Sequence, residues 1–201
     1  MLKDLLQPYS VLLASASPRR QMLLSELDFK FTVPELLEIE EDFPSELPKN
    51  EVAGFLAQKK AQAYMPSLAS NAILITADTI VVCNSSVLGK PTSLDDAKEM
   101  LRLLSGREHD VVTGVSLVHR NHARVFSVDT KVKFRNLSTA EINYYVEKYQ
   151  PLDKAGAYGI QEWIGYVGVE SINGSYFNVM GLPVQRLYLE LDEFVKSINP
   201  Q

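Results

Sequence analysis

What this sequence lacks narrows its chemistry before anything it contains. Cysteine occurs once, as Cys83, so no internal disulfide can form; that suits a reducing compartment, and a cytoplasmic location is expected. Cys83 stands in an apolar, strand-like run, the setting of a buried structural thiol. Positive charge is in deficit: 20 Lys and Arg against 25 Asp and Glu give a formal net charge of −5, with no electrostatic footprint for nucleic acid. An anionic ligand therefore needs a locally positive site. No apolar run reaches the length of a membrane-spanning helix, so no membrane partner is expected. "VLLASAS" (11–17) is too short for a leader, with Asp4 and Pro8 before it and a single lysine, and reads as a first strand. Also missing are the GxxxxGKS/T phosphate loop, the G-x-S-x-G nucleophile elbow and any metal-ligand spacing among His109, His119 and His122. Repeats and low-complexity segments are absent too.

What is present is an ordinary globular composition, 46% hydrophobic and 22% charged, at a length of 201 residues that suits one domain over 1–201. After the first strand, Ser17 and Pro18 open a helix with Met22, Leu23, Leu24 and Leu27 on its apolar face. "FKFTV" (29–33) reads as a strand, and the acidic, proline-punctuated 34–50 as a loop. A helical pattern covers 51–64. "AILITADTIVVCN" (72–84) is a nearly unbroken β-branched run suited to a sheet centre. A capping box at Ser93 and Asp96 starts a helix that ends at Gly106, and a second, Ser138 with Glu141, starts another over 138–149. Between them, two alternating runs around "NHA" (121–123) read as a long hairpin. A glycine-rich stretch (153–165), a strand near 166–172 and a helix from about Pro183 complete an α/β pattern with a mixed sheet.

Several stretches carry chemistry-bearing residues. In "LLASASPRRQMLL" (12–24), Arg19 and Arg20 fall in the first turn of a helix, where cations oppose the macrodipole. An anion bound at that N-terminus would justify both, since free N–H groups and arginine forks suit phosphate oxygens. One arginine solvated and the other paired to a carboxylate is an equal alternative at this level. On the phosphate reading, removing either arginine should leave the fold intact or slightly more stable. Asp78 interrupts the apolar run 72–84 and must be paired or metal-bound, because a bare buried charge costs several kcal/mol. Lys90 sits in the tight turn "LGKP" (88–91), Arg107 and His109 in "SGREHDVVTGV" (105–115), and Gln161 closes "DKAGAYGIQ" (153–161).

The order of these motifs is more telling than any one of them. S-x-S-P-R-R, P-x-x-x-E, A-x-x-K-A, A-D-T, G-K-P, S-G-R-x-H-x-V-x-T-G-V, D-K-A-G-A-Y-G-I-Q and "GSYFNVMGLP" (174–183) together resemble the Maf family of nucleoside triphosphate pyrophosphatases, from about Leu12 to Pro183. The resemblance implies an elongated α/β fold shared with inosine triphosphate pyrophosphatases, a mixed central sheet flanked by helices with two lobes around a cleft. It implies hydrolysis of a nucleoside triphosphate to monophosphate and pyrophosphate with a divalent cation, Mg2+ or Mn2+. Position by position, Ser17, Arg19 and Arg20 match the phosphate-binding turn, Lys60 and Lys90 the family lysines, Glu38 its acidic residue and Asp78 its proton acceptor. Glu38 and Asp78 would hold the metal. Arg19, Thr79 and Gln161 match the branch acting on dTTP and UTP; the branch acting on 7-methyl-GTP ranks second. The chain departs from the family pattern after Gln161, where Glu162 and Trp163 replace a glycine-containing turn. The family is also linked to inhibition of septum formation, which leaves a non-enzymatic regulator as the rival reading. A homodimer is left open.

Overall fold

Residues 1–198 are described in a computed structural model. The helices are α1 (Leu2–Leu5), α2 (Pro18–Ser25), α3 (Lys49–Tyr64), α4 (Leu94–Leu104), α5 (Thr139–Tyr149), α6 (Trp163–Gly168), α7 (Tyr176–Val179) and α8 (Val184–Ile198). The strands are β1 (Ser10–Leu13), β2 (Ala72–Cys83), β3 (Ser86–Leu88), β4 (Glu108–His119), β5 (His122–Phe134) and β6 (Val169–Asn173), in the order β1-β2-β4-β5-β6 with β3 also paired to β2. β1 runs parallel to β2, whereas β3 and β6 pair antiparallel with β2 and β5, so the sheet is mixed, as the sequence pattern requires. The chain forms two compact units, Met1–Asp78 with Thr113–Val128 and the segment from Gly181 onward, and Thr79–Val112 with Asp129–Met180.

In the first unit, β1 pairs with β2 from Ser10↔Ala72 to Leu13↔Ile75, and a parallel pair needs the long crossover that α2 and α3 supply. Ser17 caps α2, its Oγ accepting the Arg20 N–H at 3.5 Å, and Pro18 takes the first helical position. Leu23 and Leu24 are buried, but Met22 is 49% exposed, so the apolar face is narrower than its spacing suggests. The expected strand at 29–33 does not form. Only Thr32 pairs, with Leu12, because Phe29 and Phe31 are merely half-buried and no core face holds a longer register.

α3 buries Val52, Ala53, Leu56, Ala57, Ala61 and Tyr64, and it lies so close to β4 that a Cβ on Gly114 would stand 2.2 Å from the Ala53 carbonyl carbon. Only glycine allows that approach. The Thr76 hydroxyl donates to the Ala57 carbonyl at 2.6 Å, tying the middle of α3 to β2. α8 packs Leu187, Leu191, Phe194 and Val195 inward and holds its buried Glu190 with Arg124 at 2.8 Å.

The second unit takes its helix starts from the sequence as read. Ser138 and Glu141 form the reciprocal capping box of α5, and the bond from Arg135 holds the Glu141 pKa down at about 2. At α4, Ser93 accepts the Asp96 N–H, while the Asp96 carboxylate accepts from the Thr92 N–H instead of closing the box on Ser93. Arg107 donates to the Leu103 carbonyl at 2.6 Å, a cation at the C-terminal end of α4. The last strand begins at Val169 rather than near 166. Residues 163–168 are helical instead, and Gly165 within them lies so close to the Ile160 carbonyl that a Cβ would stand 1.8 Å from its oxygen. Cys83 is buried in β2.

His109 is a core residue of β4. Its Nε2 meets the Tyr158 hydroxyl at 2.8 Å and its ring packs edge-on against Phe134, while Nδ1 is buried without a partner among the described residues. Burial drives its pKa from 6.5 to about 4, so the folded protein keeps this imidazole neutral where an unfolded chain would protonate it. Stability tied to His109 is therefore complete above pH 6.5 and is lost as pH falls from there towards 4. Urea unfolding at pH 7, 5.5 and 4.5 should show a decline in the unmutated protein that exceeds that of His109→Gln by roughly 3 kcal/mol in total. Parallel pH curves for the two proteins would remove His109 from the acid sensitivity.

Candidate active site

Asp78 sits at the point where β2 has run through six buried residues, and its side chain is only 7% exposed. The pairing that such a charge requires comes from α3. One turn after the Ala57 carbonyl that Thr76 anchors, Lys60 extends its ammonium to Asp78 in a close ion pair. The same Nζ lies 2.8 Å from Glu41 Oε1. Two carboxylates thus converge on one ammonium.

Glu41 belongs to the acidic segment 34–50, which has no helix before α3 and no strand, and which α3 holds at several points. Lys59 pairs with Asp42, Lys60 with Glu41, and the Tyr64 hydroxyl accepts the Leu37 N–H at 3.0 Å. Glu38, next to that last anchor, is exposed and makes no hydrogen bond or ion pair among the described residues. The structure therefore brings Glu41, not Glu38, to Lys60 and Asp78. A signal for it existed in the sequence: the adjacent acids Glu41 and Asp42 match the adjacent lysines Lys59 and Lys60 on α3.

Arg20 is neither solvated nor simply paired to a carboxylate. Its Nε donates to the Gly181 carbonyl at 2.7 Å and its Nη1 to the Ala77 carbonyl at 2.8 Å, which sets the guanidinium beside the peptide that leads into Asp78. Burial lowers its pKa, and the negative charge of Asp78 opposes that shift; an arginine stays protonated regardless. Arg19 and Glu41 also lie within its electrostatic reach. Two carbonyls depend on Arg20, so the expectation that its removal leaves the fold as stable as before is corrected. Arg19 is half-exposed in the first turn of α2, and Ser17 precedes it as the cap.

Within the first unit, then, Asp78 midway along β2, Lys60 near the C-terminal end of α3 and Arg20 in the first turn of α2 come together with Glu41, while Ser17 and Arg19 adjoin Arg20 at the start of α2. The remaining candidates belong to the second unit. Thr79, the next residue of β2, is half-buried. Lys90 is exposed in the turn between β3 and α4, and the Gly89 carbonyl in that turn accepts the Gly156 N–H at 3.0 Å. Gly156 has φ +67°, a left-handed conformation, and its missing Cβ would meet Val81 of β2 at 2.8 Å. The G-K-P turn and the loop that ends in Gln161 are therefore joined. Gln161 is half-buried, and its Oε1 is buried with no partner among the described residues. Trp163 packs edge-on against Tyr144, with ring centroids 4.9 Å apart.

Chemically, the first cluster offers a carboxylate in a fixed place, a second carboxylate beside it and cations for an anion. A hard divalent cation fits that donor set in kind, because Mg2+ is held by one or two carboxylates with phosphate oxygens and water completing its shell. Lys60 already marks the point at which the carboxylates of Asp78 and Glu41 meet a positive charge.

Comparison with known proteins extends the likeness over almost the whole chain. A family model described as Maf-like protein matches residues 10–194. A Parabacteroides distasonis protein named dTTP/UTP pyrophosphatase is 51% identical over 94% of this chain and 98% of its own length. Another of that name from Porphyromonas gingivalis is 49% identical over 96% of this chain and 98% of its own. The solved structure of the Staphylococcus aureus Ham1 protein aligns at a TM-score of 0.51 with 16% identity, covering 90% of this chain and 98% of that one, a likeness of fold alone. The capped S-x-S-P-R-R turn, the buried A-D-T strand with its lysine partner and the G-S-Y-x-N-V-x-G-L-P segment all lie inside the matched region, and the protein belongs to the Maf-like family.

Proposed function

We propose that this protein hydrolyses nucleoside triphosphates, dTTP and UTP foremost, to the monophosphate and pyrophosphate, and so removes unwanted nucleotides from the pool. The observation that carries this reading is the cluster of Asp78, Lys60, Glu41 and Arg20, in which a buried carboxylate is held ready beside positive charge. Relatives named dTTP/UTP pyrophosphatase at about half identity over their full length support it. The scarcity of positive charge elsewhere fits a small anionic substrate.

The chemistry follows from charge. Arg19 and Lys60 take the phosphate oxygens, and Arg20, fixed by two carbonyls, adds positive charge beside them. An arriving polyphosphate competes for the Lys60 ammonium. As that ammonium turns to phosphate, Asp78 loses its cationic partner and can accept a proton from the attacking water. Such displacement needs mainly positioning and electrostatics, which rigid β2 and α3 supply. A divalent cation, Mg2+ or Mn2+, would be held by Asp78 and Glu41, and it would neutralise charge on the polyphosphate. For the base, a carboxamide such as Gln161 offers both a donor and an acceptor, as the edge of uracil or thymine requires. Thr79 would add a hydroxyl near it.

Five measurements test the reading. With Mg2+ and a panel of nucleotides, the purified protein should release pyrophosphate fastest from dTTP and UTP. Preference for 7-methyl-GTP would overturn the base choice, and no release from any nucleotide would leave the septum regulator standing. EDTA should abolish turnover and Mn2+ or Mg2+ restore it; full activity in EDTA after dialysis removes the metal from the mechanism. Asp78→Asn should fold, since Lys60 keeps Glu41, yet turn over about 10²–10⁴-fold more slowly. A near-normal kcat would pass the proton-accepting role to Glu41. Finally, Arg20→Ala should lose about 2–4 kcal/mol of stability as two carbonyls lose charged donors. Arg19→Ala should instead raise the KM for UTP; an unchanged KM there would free Arg19 from phosphate binding.

A further inference from the structure

The acidic segment before α3 poses a problem of register. Four of the five residues 38–42 are acids, Glu38, Glu40, Glu41 and Asp42, and the fifth is Ile39. No helix or strand fixes the segment, yet one acid in particular, Glu41, meets the Lys60 ammonium that also holds Asp78. Glu38 and Glu40 are exposed and make no hydrogen bond or ion pair among the described residues.

The contacts with α3 come in order. Leu37 meets Tyr64 through its N–H at 3.0 Å, Glu41 meets Lys60 at 2.8 Å and Asp42 meets Lys59, so the segment passes the helix in the opposite direction, residue for residue. Between Leu37 and Glu41, Ile39 turns inward. It packs against the buried cluster of Ala14, Ala61, Tyr64, Leu74 and Val118, in which Ala61 directly follows Lys60 on α3. Ile39 and Glu41 thus turn to the helix while Glu38 and Glu40 face solvent, the alternation of an extended chain.

Charge alone does not choose this register. Lys59 and Lys60 draw acids to α3, but a slip of one residue would offer Lys60 another carboxylate, Glu40 or Asp42, for a similar gain. The pairs are also open to water, with the Asp42 side chain 72% exposed and that of Glu41 38%. Ion pairs so placed hold a chain weakly, and salt weakens them further. Among the described residues of 35–46, only Ile39 is half-buried, and every other is exposed. A slip would withdraw its apolar side chain from the cluster and put Glu38 or Glu40 in its place, and both changes are unfavourable.

We propose that Ile39 is a positioning residue for the active site: its side chain, seated in the cluster that includes Ala61 and Tyr64, sets the register that delivers Glu41, rather than Glu38, Glu40 or Asp42, to Lys60 and Asp78. This role rests on the nucleotide hydrolysis proposed above, in which Asp78 and Glu41 hold the divalent cation, and deepens it. The anchor matters most during turnover. As Lys60 turns to the polyphosphate, Glu41 loses its ion pair, and the apolar anchor two residues away keeps its carboxylate beside Asp78.

The test compares the full chain, unmutated, with Ile39→Val, Ile39→Ala, Glu41→Gln and the Ile39→Ala/Glu41→Gln double variant. Two readouts are taken: kcat and KM for UTP with Mg2+, and Mn2+ affinity by electron paramagnetic resonance in the presence of a non-hydrolysable UTP analogue. Ile39→Ala should lower kcat and Mn2+ affinity about tenfold each, as the anchored register falls to about a tenth of the population, with KM for UTP within about twofold. Ile39→Val keeps most of the apolar contact and should stay within about threefold of the unmutated protein in both. The double variant should lose no more than Glu41→Gln alone, because both changes take the same carboxylate from the site. Losses that multiply in the double variant, or full kcat and Mn2+ affinity in Ile39→Ala, overturn the proposal. If Ile39→Ala does not fold, Ile39→Glu/Glu40→Ile keeps the composition and moves the anchor by one residue. In that background Asp42→Asn should cost more turnover than Glu41→Gln, and the reverse order overturns the proposal. Should Glu41→Gln alone cost neither turnover nor Mn2+ affinity, Ile39 has nothing to position and its role falls, while hydrolysis by the unmutated protein leaves the proposed activity standing. Hydrolysis of no nucleotide at all overturns the activity, and this role with it.

Discussion

The ion pair between Lys60 and Asp78 joins the two parts of the first unit on which the site depends. β2 carries a carboxylate through a stretch where its neighbours are buried and apolar, and an unpaired charge there would cost several kcal/mol. Lys60 removes that cost only if α3 lies at a set height along the strand. The Thr76–Ala57 hydrogen bond and the close approach of Gly114 to Ala53 set that height with backbone contacts. Catalytic potential and helix docking are consequently one problem with one solution. A carboxylate that packing alone would exclude is kept, and kept in place.

From that pair the rest of the cluster spreads outward. Glu41 and Asp42 come to α3 because two adjacent lysines wait there, so a segment without regular structure is held where its acids count. Arg20 reaches the same place from α2 and is held by the Ala77 carbonyl, immediately before Asp78. Its guanidinium does structural and electrostatic work together. The macrodipole penalty that cations incur at the start of α2 is thus partly relieved by the carbonyl oxygens that hold Arg20, not by an anion alone.

The second unit is built on different terms, through glycines and buried hydroxyls. Gly156 lets its loop close on Val81, Gly159 lets Glu162 and Lys154 lie against the chain, and Tyr145 and Tyr158 place hydroxyls where main chain or imidazole needs them. Each tyrosine combines a large apolar body with one polar end, which suits a site that must be dry and still hydrogen-bonded. In this setting Glu162 is the shared partner of the Tyr145 hydroxyl and the Lys154 ammonium.

Local signals determined a great deal. Ser17 with Pro18, Ser93, and Ser138 with Glu141 were legible as helix starts because a cap involves residues three apart. The buried strand with Asp78 in it was legible as a nearly unbroken β-branched run, and the hairpin of β4 and β5 from the alternation that β5 keeps. The motif order sufficed for the family. Tertiary structure decided the remainder: that Glu41 and not Glu38 meets Lys60, that 29–33 forms one bridge and no strand, that Arg20 holds Ala77 and Gly181, and that Glu162 answers to Tyr145 and Lys154. Arg20 and Gly181 are 161 residues apart, and Lys60 and Glu41 are 19 apart across a segment without regular structure. Period and capping report which face a residue takes within its own element; which distant group meets it there is set only when the elements pack.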